Sequence, residues 1–92
     1  MSHSLISVLS QQLKISQSYI KKGGYYYHYK TPNKYYKVID IAIKEDTEKT
    51  CLIYYALDNP ELIWVRDVDI WLEKVLIENN EYIDRFSEVQ IN

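Results

Sequence analysis

Ten of the 92 residues are tyrosine, and most lie in short runs that also hold Val, Ile and Thr. Aromatic and β-branched side chains pack well on a pleated surface and lose rotamer freedom in a helix, so such runs favour strands. The first is unbroken from Tyr25 to Lys30, and Thr31-Pro32-Asn33 supplies turn chemistry before a second run from Tyr35 to Lys44. A charged turn over 45–49 precedes a third, Cys51 to Leu57, which Asp58-Asn59-Pro60-Glu61 breaks. Leu62 to Val65 reads as a fourth, short strand, after which Asp67 or Asp69 caps one helical turn through Ile70, Trp71 and Leu72. Val75 to Glu78 and Tyr82 to Phe86 flank Asn79-Asn80, a pair that tolerates the positive φ of a tight turn. In the second run Val38, Ile39, Ile41, Ala42 and Ile43 place apolar groups on both faces, so both faces need cover. The expected fold is mainly β: a small, partly open SH3-like barrel of five or six short strands.

The N-terminal stretch follows a different period. Leu5, Val8, Leu9, Leu13 and Ile20 recur at spacings of three and four with Ser and Gln between them, as in an amphipathic helix that Ser2 or Ser4 caps. Gly23-Gly24 stops it, because paired glycines release the backbone into turn conformations. The sequence thus divides into a helical arm, 1–22, and a β-barrel-like domain, 23–92. An isolated helix of this length is marginal in water, so its apolar side is expected to dock on its own barrel or to form a homodimer with a second copy.

Charge and cysteine usage narrow the function classes. The net charge of −2 conceals an asymmetry: residues 21–49 hold seven basic against four acidic side chains, and residues 50–92 three basic against nine acidic. Neither half is basic enough to announce a polyanion partner. Cys51 is the sole cysteine, which excludes an intrachain disulfide and suits a reducing, cytoplasmic setting. No apolar stretch approaches a membrane span, and Met1 to Ser4 lacks the start of a signal peptide, so no membrane partner is expected.

The usual catalytic constellations are weak. His3, His28 and Cys51 have no zinc-type spacing, and residues 45–48 are too few for a calcium loop, so no metal or cofactor is expected. Gly23-Gly24 lacks the spacing of a phosphate cradle. Cys51 beside Leu52 and Ile53 has the setting of an inert buried thiol, and His28 serves it as a base only if the first and third strands bring the two together.

From Gly24 to Phe86 the order of several short signatures resembles the bacterial family known as domain of unknown function 1653. Gly24-Tyr25-Tyr26-Tyr27-His28-Tyr29-Lys30 is similar to its opening element, with Tyr27 in place of a basic residue. Tyr36, Val38 and Ala42, then Asp46-Thr47 and Leu52-Ile53-Tyr54, follow in the family's order. Trp64-Val65-Arg66-Asp67 with Trp71 resembles its Trp-Val-Arg-Pro element, and Asp84-Arg85-Phe86 its closing Pro-Arg-Phe, both without the proline. The resemblance implies a small β-barrel-like fold and carries over no catalytic residue.

The most specific elements come from three distant stretches, which a small barrel brings together. Tyr26, His28, Trp64, Arg66 and Arg85 are therefore the candidate ligand-binding residues: arginine offers a planar charged fork, and the aromatics a stacking surface. The expected function is a non-catalytic module that binds a peptide, nucleotide or single-stranded nucleic acid through an aromatic and basic surface. The alternatives are a small enzyme using His28 with Arg66 or Cys51, and a structural or oligomerisation subunit. A purely structural account of the five residues places Tyr26 and Trp64 in the core and pairs each arginine with Asp67, Asp84 or Glu73.

Overall fold

The computed structural model describes residues 5–91. Helix α1 (Ile6–Tyr19) is followed by strands β1 (Tyr25–His28), β2 (Thr31–Ile43), β3 (Thr50–Ala56) and β4 (Asn59–Asp67), a single helical turn α2 (Val68–Trp71), and strands β5 (Lys74–Leu76), β6 (Tyr82–Asp84) and β7 (Phe86–Val89). Five strands form an antiparallel sheet in the order β4-β3-β2-β1-β7, and β5 pairs with β6 as a separate hairpin. The fold is mainly β, with an N-terminal helix and a sheet that curls without closing into a barrel.

Alternation along the strands decides what the curl encloses. Tyr26, Val38, Leu52, Tyr54 and Phe86 turn to the inner face and are buried, together with Ile41. Trp71 of α2, 2 % exposed, fills the centre: it stacks on Phe86 with centroids 3.6 Å apart and meets Tyr26 and Tyr54 edge to face at 5.6 and 5.1 Å. The two edge-to-face pairs each add about 0.5–1.5 kcal/mol to the burial of the rings. Tyr36 extends the cluster with edge contacts to Tyr54 and Phe86. Tyrosine thus serves the core on one face, while Tyr25 and Tyr55 flank Lys37 on the other in adjacent strands.

Helix α1 docks on its own sheet. Ser16 and Ile20 are buried and Leu13 packs against the core, while Leu5, Ile6, Val8 and Ile15 stay exposed. Ser16 satisfies its hydroxyl by donating to the Gln12 carbonyl at 3.1 Å. Ser2 and Ser4, expected as caps, lie outside the described residues; Leu5 occupies the cap position without a side-chain bond. Gly23 takes φ +79°, the left-handed conformation expected of the glycine pair. Gly24 is needed for space, since a Cβ there would meet the Lys21 carbonyl oxygen at 3.0 Å. The Tyr26 hydroxyl accepts the Lys21 N–H at 2.9 Å and ties the helix exit to the core.

Three boundaries differ from the sequence expectation. The turn between β1 and β2 is Tyr29-Lys30 rather than Thr31-Pro32-Asn33, because a register shift after Tyr27 takes up the extra residues of β2. Strand β4 begins at Asn59 and runs nine residues, and Pro60 is accommodated beside the register shift between Tyr54 and Ala56. The run Tyr82 to Phe86 is split at Arg85: β6 closes the small hairpin and β7 joins the large sheet beside β1. The Asn79-Asn80 turn is as expected, with Asn80 at φ 62°.

Candidate functional site

Two of the five sequence-selected side chains, those of His28 and Arg66, meet at Phe86. Register places it opposite His28, whose ring meets it edge to face at 4.9 Å. From the opposite end of the sheet, Arg66 on β4 brings its guanidinium carbon to 5.4 Å from the same ring. The curl of the sheet therefore draws β1, β4 and β7 to one neighbourhood, with Trp71 beneath Phe86 as its floor.

His28 Nδ1 accepts the backbone N–H of Lys30 at 3.1 Å, so the neutral ring carries its proton on Nε2 as a donor. Burial lowers its pKa below the usual 6.5, and the positive charges of Arg85, Arg66 and Lys30 lower it further. The imidazole is thus neutral at pH 7. It offers one donor to an incoming acceptor, and its setting favours anions because three cations surround it.

The two arginines part company. Arg85 Nη2 donates to Glu73 Oε1 at 3.0 Å, so this guanidinium already holds a carboxylate, while its Nε is buried without a partner among the described residues. Arg66 forms no ion pair with any described residue. Its neighbour Asp67 points to the other face of β4, where it binds Lys44 at 2.7 Å. That bond holds the Asp67 carboxyl below its ordinary pKa, against the opposing effect of burial, and raises that of Lys44.

Tyr26 and Trp64 also separate. Tyr26 is 5 % exposed and belongs to the core; burial, chiefly, raises its pKa. Trp64 lies on the inner side of β4, opposite Tyr54, yet is 51 % exposed because β4 is the last strand and nothing covers its rim. The structural account thus holds for Tyr26 and Arg85 and fails for Trp64 and Arg66. The core tryptophan is Trp71, two residues beyond the sequence-selected segment's last acidic neighbour, Asp69.

Cys51 is buried on β3, opposite Ala42 and Asp67, with the whole of β2 between it and β1, which carries His28. Burial pushes its thiol pKa up, the reverse of what a nucleophile needs. Among the described residues no three His, Cys, Asp or Glu side chains converge as metal ligands, and His3 lies outside them. No described helix is long and apolar enough to cross a membrane.

Surface grooves lie both away from this neighbourhood and along its border. One of about 420 Å³ runs between Ile15, Ser16 and Tyr19 of α1 and Val68 and Leu72 beside α2. Another of about 460 Å³ exposes the edges of Tyr26, Trp71 and Phe86 beside Lys74 and Asp84. The sequence reading missed Phe86 as the hub and Tyr36 as its neighbour, although Phe86 directly follows Arg85 in the closing signature.

No curated protein and no solved structure matches the chain. Residues 24–88, which hold strands β1 to β6 and all but the last residue of β7, match the model of one family. The chain belongs to the family described as protein of unknown function DUF1653.

Proposed function

We propose that the chain is a non-catalytic binding module of a reducing, cytoplasmic setting, and that the face bearing His28, Trp64 and Arg66 takes an anionic ligand with an apolar or aromatic part. The observation that carries this reading is Arg66: a partly buried guanidinium held over Phe86, without a carboxylate partner among the described residues, two residues from a half-exposed tryptophan on the same face. An unpaired guanidinium beside an aromatic surface suits a carboxylate or phosphate that arrives with an apolar neighbour. A peptide fits better than a nucleic acid, because the nine acidic side chains of residues 50–92 oppose a polyanion. The buried, electrostatically unactivated Cys51 weighs against the enzyme alternative. Docking of α1 through Leu13, Ser16 and Ile20 on its own sheet weighs against a homodimer through that helix.

The test is affinity capture from a cell lysate, scored for bound protein and bound nucleic acid, on the wild type and on Arg66→Ala, Trp64→Ala and Arg85→Ala. Arg66→Ala and Trp64→Ala are expected to keep their melting temperature and lose a nuclease-insensitive protein partner. Arg85→Ala, which frees Glu73, is the control expected to lose stability. Unchanged capture by Arg66→Ala at unchanged stability would sink the proposal.

A further inference from the structure

The open edge of β4 has an orientation that can be worked out strand by strand. Val38 N–H donates to the Gly24 carbonyl, and the Val38 carbonyl accepts the Gly23 N–H, so the backbone groups of Val38 face the β1 side of β2. Backbone groups alternate along a strand, which turns those of Lys37 toward β3 and its partner Tyr55. The Leu57 N–H bond to the Tyr35 carbonyl, at 2.9 Å, agrees. Along β3 the next residue, Tyr54, then faces β4 and its partner Trp64, so Trp64 spends its backbone groups inside the sheet. Ile63 and Val65 present theirs at the free edge, where no described residue bonds them.

Proline and acidic charge, which usually blunt an edge, stand at the two ends of this one and leave its middle open. Pro60 and Glu61 stand at its start and Asp67 at its end. Between them Leu62, Ile63, Trp64 and Val65 are 47, 53, 51 and 56 % exposed, four consecutive apolar residues on the last strand of the sheet. Arg66 follows on the same face as Leu62 and Trp64, with no carboxylate partner among the described residues.

We propose that the partner is an extended acidic-apolar peptide that adds a strand to β4, bonding Ile63 and Val65 through its backbone. This rests on the binding-module reading and names its ligand and mode. Residues directly opposite across an antiparallel pair share a face and lie within about 5.5 Å, so the peptide residue opposite Arg66 is Asp or Glu. Period two places an apolar or aromatic residue opposite Trp64, two positions away. Charge complementarity selects this occupant over a second copy of the chain. Two-fold pairings of the outward backbone groups centred on Ile63, Trp64 or Val65 set Arg66 opposite Pro60, Leu62 or Trp64 of the second copy, so none gives it a carboxylate, and the one centred on Trp64 also sets Glu61 against Asp67.

The probe is a phage-displayed library of random peptides selected on the full chain, with binding measured on wild type, Arg66→Ala and Val65→Pro. Proline is tolerated on an edge strand where its missing N–H faces outward, and Val65 points its side chain away from Arg66 and Trp64. Selected peptides are expected to carry Asp or Glu two positions from an apolar residue. Each variant should weaken them about tenfold or more at unchanged melting temperature. Backbone N-methylation of the peptide at one alternate set of residues should abolish binding while the other set is silent, a test that holds even if Val65→Pro fails to fold. Binding sensitive to Arg66→Ala but indifferent to Val65→Pro and to N-methylation would overturn strand addition and leave the binding-module reading standing. Indifference to all three would end both. No enriched peptide, or a wild-type dimer in sedimentation that Val65→Pro turns to monomer, would also overturn the proposal, the latter assigning the edge to a second copy.

Discussion

Replacing Phe86 tests whether one ring couples the core to the candidate site. The ring is 8 % exposed, stacks on Trp71 at 3.6 Å, meets His28 and Tyr36 edge to face, and supports Arg66 at 5.4 Å. Truncating a buried phenylalanine to alanine costs about 3–5 kcal/mol from lost transfer energy and the cavity left behind. A domain of this length has roughly 5–14 kcal/mol in total, so Phe86→Ala is expected to fold marginally and to lose about 15–30 °C of melting temperature. Phe86→Leu restores most of the volume without a π face, and its expected loss is about 1–2 kcal/mol, the share due to its ring contacts with Trp71, His28 and Tyr36. Urea denaturation followed by tryptophan fluorescence measures both, since Trp71 loses its stacked neighbour in either variant. A loss under about 1 kcal/mol for alanine would refute the hub, and a leucine variant as weak as alanine would show that shape rather than aromatic contact is decisive.

Tyr26→Phe keeps the ring against Trp71 and removes only the acceptor of the Lys21 N–H; an expected loss of about 1–2 kcal/mol in urea denaturation checks the tie between helix exit and core, and no loss would show that water replaces it. His28 should titrate by NMR below the usual 6.5, and Arg85→Gln should move its midpoint upward by removing the largest of the charge effects. Because the folded value lies below the unfolded one, the unfolded chain takes the proton first as pH falls through 6.5; wild type should then lose stability relative to His28→Gln, and a midpoint at or above 6.5 would contradict the burial and charge argument.

Local chemistry carried most of the element pattern. Strand-favouring runs, the positive-φ sites at Gly23 and Asn80 and the three-four period of Leu9, Leu13 and Ile20 depend on neighbours in sequence, so they are legible in it. The order of the signatures leads to the expectation that His28 and Arg66 share a neighbourhood, but Phe86, the ring both meet, is not among the selected residues, since that contact is set by register and curl. The fate of individual side chains was not local. Trp64 and Trp71 have equal apolar character, but only the curl of the sheet puts Trp71 under Phe86 and leaves Trp64 on the uncovered last strand. Arg66 and Arg85 each have an acid one residue away in sequence, yet alternation turns Asp67 from Arg66 toward Lys44, and the fold of the β5–β6 hairpin brings Glu73 to Arg85. Burial and ion pairing are set by contacts between residues distant in sequence, and those exist only once the strand order is fixed.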